Sequence, residues 1–315
     1  MDDPLPASLL RQFGHCPLLK IFHAVFYHHL HLATGQIDLN HLTELAIGHY
    51  VGKGLAELLA ECPALEYLAI AGFQYSEVSV EGISKTLKAE ISHAQLSTLH
   101  IGFIKEDFDD RAMEGVSLPG LQSLTLRAIP SIGDFLHPNQ TRHGEFIVTL
   151  QAMLRRSNCN LQSLSLIRVQ EEAAIALISG CPSISHLSCT ETDISETLLA
   201  QLTLTEDSRV APNLITLGMG SATVANSFLE NCKAFEESCC RLVESRVYST
   251  RLESAVIGDA SQGLRRFLLR PLRPRDHPNL RDSTERIQSR LQSLGLKEVV
   301  VSVDFKWFNE TMLDD

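Results

Sequence analysis

Five histidines fall within "FHAVFYHHLHLATGQIDLNHL": His23, His28, His29, His31 and His41. Imidazoles are the commonest metal ligands, but a metal centre needs a few of them held in fixed geometry and supported by further hydrogen bonds. Spread along a turn after a short apolar run, these read as a solvated segment with one or two packed rings. In "KEDFDDRAMEG", Glu106, Asp107, Asp109 and Asp110 crowd together. They lack the spaced acidic loop and closing glutamate of a calcium hand, so they read as a polar surface segment. Cys239 and Cys240 are adjacent, and neighbours on a helix point about 100° apart, which keeps their sulfurs from pairing. Cys239 lies on an apolar stripe, leaving Cys240 as the thiol expected at the surface. "GMGSA" (218–222) has neither the serine elbow nor the lysine-bearing phosphate loop. Arg265, Arg266, Arg270, Arg273 and Arg275 could meet phosphate or an acidic peptide, but read as an exposed connector. No nucleophile, base and orienting group come together in this pattern. The expectation is a protein that is not an enzyme, with no metal and no cofactor.

The elements that carry these residues follow from a repeat. The pattern L-x-x-L-x-L, with apolar replacements, starts at Leu42, Leu65, Leu96, Leu121, Leu161, Ile184 and Leu214, and in weaker form at Leu19, Leu252 and Leu296. Successive starts lie 23, 23, 31, 25, 40, 23, 30, 38 and 44 residues apart. The short steps fit leucine-rich repeats and the long ones call for insertions. One unit cannot bury its apolar face alone, whereas stacked units share a continuous core.

Cys-Pro recurs at Cys16-Pro17, Cys62-Pro63 and Cys181-Pro182, just ahead of these starts. Leu55, Leu58, Leu59 and Cys62, like Ala174, Leu177, Ile178 and Cys181, line one helical face. The cysteine is then the last inward residue of a helix, and the proline stops that helix. Leu118-Pro119 and Ala211-Pro212 occupy the same place, so the requirement is a small or apolar residue followed by proline. Cys62 and Cys181 are expected to be buried, unpaired and unreactive. Further outer helices are expected from the stripes Ile83/Leu87/Ile91, Phe146/Leu150/Met153/Leu154 and, over 223–247, Val224/Phe228/Cys232/Phe235/Cys239/Leu242, with Glu244, Ser245 and Arg246 facing elsewhere. The segments 127–145 and 269–282 read as surface loops.

The predicted fold class is thus α/β: a right-handed leucine-rich-repeat solenoid, or horseshoe. Its parallel sheet lies on the concave side, with helices and loops on the convex side. The divisions are an N-terminal cap segment (1–18), the solenoid (19–303) and a C-terminal tail (304–315). Along each strand the third and fifth triplet positions point away from the core. They are Ile21, His23, Glu44, Tyr67, Thr98, His100, Ser123, Thr125, Ser163, Ser165, His186, Ser188 and Thr216, with Arg127 and Arg168 following their strands. His23, Tyr67, His100, Arg127, Arg168 and His186 are the larger side chains of this set and the candidate anchors for a protein partner.

A formal charge of −11 with 44% hydrophobic and 21% charged residues describes a folded protein without the basic face that nucleic acid or anionic membrane wants. The opening "MDDPLPASLLRQFGH" lacks a signal peptide's basic flank and apolar core, and no run approaches the ~18 apolar residues of a membrane span. A cytoplasmic or nuclear chain with reduced thiols is expected. The sequons at Asn139 and Asn309 would then go unused.

The "CPxLxxLxL" junction and "CNLQSLSL" resemble the cysteine-containing repeats of F-box/leucine-rich-repeat proteins, most closely those of mushroom-forming fungi, over roughly residues 16–303. The resemblance implies the substrate-recognition region of an F-box-like ubiquitin-ligase receptor. In that family an N-terminal F-box docks on the ligase adaptor while the repeats hold a substrate. Only 18 residues precede Leu19, so adaptor binding is expected only if an F-box lies outside this chain. The position three residues past each triplet, often Asn or Cys in such repeats, holds Tyr50, Phe73, Ile104, Ile129, Val169 and Thr192, with no asparagine ladder. The alternative is a stand-alone repeat protein with no ligase connection. In either case the partner is a protein held on the concave face.

Overall fold

The computed structural model describes residues 18–24, 39–52, 54–75, 90–104, 113–129, 143–192, 194–205, 210–222, 232–257, 264–271, 278–294, 296 and 298–301. The chain divides into two compact units, residues 1–161 and 162–315. Both are α/β units built on a parallel sheet. In the first, strands β1 (Ile21–Ala24), β2 (Glu44–Gly52), β3 (Tyr67–Tyr75), β5 (Thr98–Ile104) and β7 (Ser123–Ile129) are neighbours in that order. Two short strands, β4 (Ile91–Ser92) and β6 (Val116–Ser117), pair with each other, and helices α1 (Leu55–Glu61) and α2 (His143–Ser157) accompany the sheet. In the second unit the order is β8 (Ser163–Ile167), β9 (His186–Thr190), β10 (Thr216–Ala222), β11 (Arg266–Pro271) and β12 (Glu298–Val301). Its helices are α3 (Glu171–Ser179), α4 (Glu196–Leu202), α5 (Cys232–Ile257) and α6 (Pro278–Gln292).

One device recurs at the entry of five strands, β2, β3, β7, β9 and β10. The third residue after the junction donates its N–H back to the junction carbonyl; Cys62 and Cys181 follow helices as expected, whereas Leu118 follows strand β6 and stops no helix. The pairs are Leu42 to Leu39, Leu65 to Cys62, Leu121 to Leu118, Ile184 to Cys181 and Leu214 to Ala211, at 3.1–3.3 Å. Four of these turns carry proline at their second position, where its fixed φ suits the turn. Each strand then begins with two successive N–H groups on one carbonyl of the strand before. Glu66 and Tyr67 donate to Thr43, Ser97 and Thr98 to Glu66, and Gln122 and Ser123 to Ser97. In the second unit Ile215 and Thr216 donate to Ser185, and Arg265 and Arg266 to Ile215. This ladder fixes the register, so Leu45, Leu68, Leu99 and Leu124 align in one unit and Leu164, Leu187, Leu217 and Phe267 in the other. All eight are buried, as are Ile70, Leu126 and Leu166. Cys62 and Cys181 are buried free thiols, with burial foremost in holding Cys62 up at about 12.

The entry to β5 uses a side chain instead. Before Leu96 stands a buried histidine, His93, whose Nδ1 accepts the Leu96 N–H at 3.2 Å, while its Nε2 lies 2.9 Å from the Cys62 carbonyl. The ring takes the place of the junction carbonyl. That pairing requires the proton on Nε2.

Several sequence expectations are corrected. The "LESAVI" triplet at Leu252 lies in α5, because leucine-type residues at i and i+3 suit a helix as well as a strand entry. The unit's strand is instead "LRRFLL", starting at Leu264, as the Arg265 and Arg266 donors to Ile215 show. Residues 269–282 are not one loop, since β11 runs through Pro271 and α6 begins at Pro278. Likewise 127–129 end β7, and α2 begins at His143. Ile91 sits in β4, not on a helical stripe; Ile83, Leu87, Val224 and Phe228 lie outside the described residues. Phe146, Leu150, Met153 and Leu154 do form the buried stripe of α2.

Arg246 does not face outward. It is 1% exposed and lies one or two turns from Cys239 and Leu242 on the same inward side. Its guanidinium donates to the carbonyls of Leu202, Val210 and Ala211 at 2.5–2.9 Å, and burial lowers its pKa to about 10. Cys240, expected at the surface, is buried as well. α6 covers a second side of α5, with Arg286 on Glu236 and Arg290 on Glu244 and Ile287 and Leu291 buried. Burial is the main reason the Cys240 thiol is pushed up to about 11.

Candidate functional site

The alternation that buries the triplet leucines turns the residues between them onto the opposite, open face of each sheet. In the first unit register places Ile21, Glu44, Tyr67, Thr98 and Ser123 in one row across the strands. The next row is His23, Ala46, Ala69, His100 and Thr125. Arg127 follows on β7 opposite Gly102. All of these except Gly102 are half-buried or exposed.

Four of the six candidate anchors therefore meet on one face. Tyr67 and His100, diagonal neighbours on β3 and β5, form an edge-on ring pair with centroids 5.2 Å apart at 62°. Burial lowers the His100 pKa, favouring the neutral ring. Burial, then the Glu44 carboxylate, raises that of Tyr67. His23 Nε2 stands 3.7 Å from Glu44 Oε2. Arg127 is exposed and has no ion-pair partner among the described residues. Beside these groups the face is small: Ala46, Ala69 and Ala71.

Gly102 has a specific cause. β3 bulges between Ile70 and Phe73 relative to β5, which brings the Ala71 carbonyl oxygen to 1.8 Å from where a Cβ on Gly102 would sit. Only glycine fits. A bulge bends its strand and re-aims the side chains that follow.

The other two anchors belong to the second unit. His186 is exposed on β9, in register with Ser163 and Thr216. Arg168 is exposed at the end of β8, with its Nε ion-paired to Glu191. Both residues adopt positive φ, 59° and 54°, where the chain leaves β8 and β9. The rest of this open face carries Ser165, Ser188, Thr216 and Gly218, and on β11 the exposed Arg266 and half-buried Leu268 stand in register with Thr216 and Gly218. Hydroxyl rows of this kind can accept or donate hydrogen bonds but hold no fixed charge.

Two features were missed by sequence reasoning. At two of the ladder positions that lack asparagine, Tyr50 and Phe73, the first unit packs buried aromatics. Tyr50 and Phe73 lie 5.4 Å apart, and Phe103 packs on Phe146 of α2 at 4.2 Å. The aromatic identities at Tyr50 and Phe73 were the available signal. The second feature is the His93 ring, whose position three residues before Leu96 matched that of Cys62 before Leu65.

Of the histidine-rich stretch, His41 is exposed and His28, His29 and His31 lie outside the described residues, as do Glu106, Asp107, Asp109 and Asp110. Among the described residues no group of three or more His, Cys, Asp or Glu side chains is placed to hold a metal ion. No described helix is long and apolar enough to cross a membrane.

No family model matches the chain, and no curated protein matches it. Among solved structures, the crystal structure of a protein from Bacteroides fragilis superposes with a TM-score of 0.40 at 14% identity, over 72% of this chain and 56% of that one. This chain thus spans little more than half the length of that protein, and a likeness of this size carries no functional meaning.

Proposed function

We propose that the chain is a leucine-rich-repeat scaffold of the right-handed horseshoe type that binds a protein partner and performs no chemistry of its own. Its role is substrate recognition in an F-box-like ubiquitin-ligase receptor. The carrying observation is the open face of the first unit, where in-register strands bring Tyr67, His100, Glu44 and Arg127 together beside small residues. Tyrosine and arginine are the side chains that concentrate binding energy when a partner excludes water from them. The repeated strand-entry ladder supports the solenoid reading, because one turn geometry and one carbonyl position recur from strand to strand.

The test is comparative capture by intact chains, read by mass spectrometry. Proteins retained by the wild type should be lost from a Tyr67→Ala/Arg127→Ala double variant with unchanged melting, and kept by Glu172→Ala, on the exposed side of α3. Equal retention by the double variant moves binding away from this face and overturns the proposal.

A further inference from the structure

The open face of the first unit carries opposite charges at the two ends of an oblique path. Glu44 stands on β2 and Arg127 on β7, three strand spacings across and four residues along from the Glu44 row. Those offsets are about 14 Å and about 13 Å, so the two Cα atoms lie about 19 Å apart, the reach of five or six extended residues. The line between them passes Ala69 and Gly102. Tyr67 and His100 border it on one side and Ala71 on the other. The Tyr67–His100 ring pair forms a low wall, and the bulged backbone at Ala71 keeps the floor free of large side chains.

Charge decides what such a path accepts. The Arg127 guanidinium is exposed and has no carboxylate beside it among the described residues, whereas the exposed Arg168, Arg286 and Arg290 each have one. The Glu44 carboxylate is 43% exposed, and its one ion-pair contact among the described residues is the His23 ring at 3.7 Å. A net charge of −11 does not forbid an acidic group here, because distant charges are screened beyond about 8 Å at physiological salt.

We propose that this path takes an extended peptide segment bearing a basic side chain at one end, over Glu44, and an acidic one at the other, over Arg127. Small or flat apolar residues between them lie against Tyr67 and His100. The proposal rests on the reading that this face binds protein and names the chemistry of what is bound.

The test uses a displayed library of random peptides ten residues long against the full chain, with Arg127→Gln and Glu44→Gln variants checked for unchanged melting. Selected sequences should place Lys or Arg four to six positions from Asp or Glu. Neutralising either residue should weaken binding about tenfold. The acidic preference should vanish in Arg127→Gln and the basic one in Glu44→Gln. No selection, or charge preferences that persist in both variants, overturns the proposal. Loss of captured proteins from the Tyr67→Ala/Arg127→Ala chain without such selection defeats this inference alone. Retention of those proteins defeats the reading beneath it.

Discussion

The first unit and the second use the same strand entry but treat their arginines differently. In the first, Arg156 on α2 is exposed and donates to the Met113 and Val116 carbonyls at 3.0 and 3.2 Å, while the next residue, Ser157, accepts the Leu118 N–H at 2.8 Å. In the second, Arg246 on α5 is buried and holds three carbonyls, one of them the junction carbonyl of Ala211. The preceding Ser245 accepts the Leu204 N–H at 3.0 Å. An arginine–serine pair on a following helix thus ties down the backbone before a strand in both units. Burial separates them. A guanidinium in water's reach can be replaced by water, while one sealed inside leaves orphaned carbonyls when removed. The open faces differ in the opposite sense: among the described residues Arg127 has no ion-pair partner in the first unit, and Arg168 is matched by Glu191 in the second.

The largest expected effect follows from the buried clamp. Arg246→Ala should cost about 3–5 kcal/mol, because it strips the Leu202 and Val210 carbonyls of this donor, leaves Ala211 only its bond from Leu214, and opens a cavity. Arg156→Ala should cost about 1 kcal/mol, the worth of a solvent-reachable pair of hydrogen bonds. Urea unfolding of both variants checks the contrast. Similar losses would mean that burial is not what separates the two clamps.

Two glycines sharpen the comparison at the next level. Gly102→Ala puts a Cβ 1.8 Å from the Ala71 carbonyl oxygen, so backbone must move and stability should fall by about 1–3 kcal/mol. Gly218→Ala meets its nearest neighbour, Ser188 Oγ, at 3.6 Å. It should change stability by no more than about 0.5–1 kcal/mol, and in the favourable direction, since glycine costs a strand entropy. Thermal melting of the pair gives the answer. A well-tolerated Gly102→Ala would remove the bulge from the account.

Much of this was legible in the sequence. The leucines at triplet positions one, four and six declared both the buried face and its register, since a period of two leaves no choice of side. The prolines after Cys62 and Cys181 declared the ends of α1 and α3, while the one after Leu118 follows a strand. What misled was ambiguity and charge. "LESAVI" satisfies a helix as readily as a strand entry, and only the carbonyl ladder singles out "LRRFLL". Charge argues for placing Arg246 outside, although its spacing from Cys239 and Leu242 is that of the inward stripe. On the open face the sequence placed Tyr67, His100 and Arg127, but not the Glu191 that occupies Arg168. That pairing depends on two positive-φ corners which no local propensity predicts.

The smallest effect concerns His100. Folding lowers its pKa through burial, so as pH falls the unfolded chain takes up this proton before the folded one. Its contribution to stability is complete above the ordinary histidine value of about 6.5 and is lost as pH drops from there toward the folded value. His100→Gln should therefore flatten the fall in melting temperature between pH 7.5 and 5.5. An unchanged slope would place the ring in water.

The alternation itself is tested most directly at Ser188 and Cys189, adjacent on β9, the first half-buried on the open face and the second 1% exposed. Burial also pushes the Cys189 thiol up to about 12, and thiolate is the reactive form. In a Ser188→Cys variant with unchanged melting, peptide-resolved alkylation of the native protein should modify residue 188 rapidly and leave Cys189 protected until the chain unfolds. Comparable rates at the two sites, or faster modification of Cys189, would contradict the assignment of an open and a buried face.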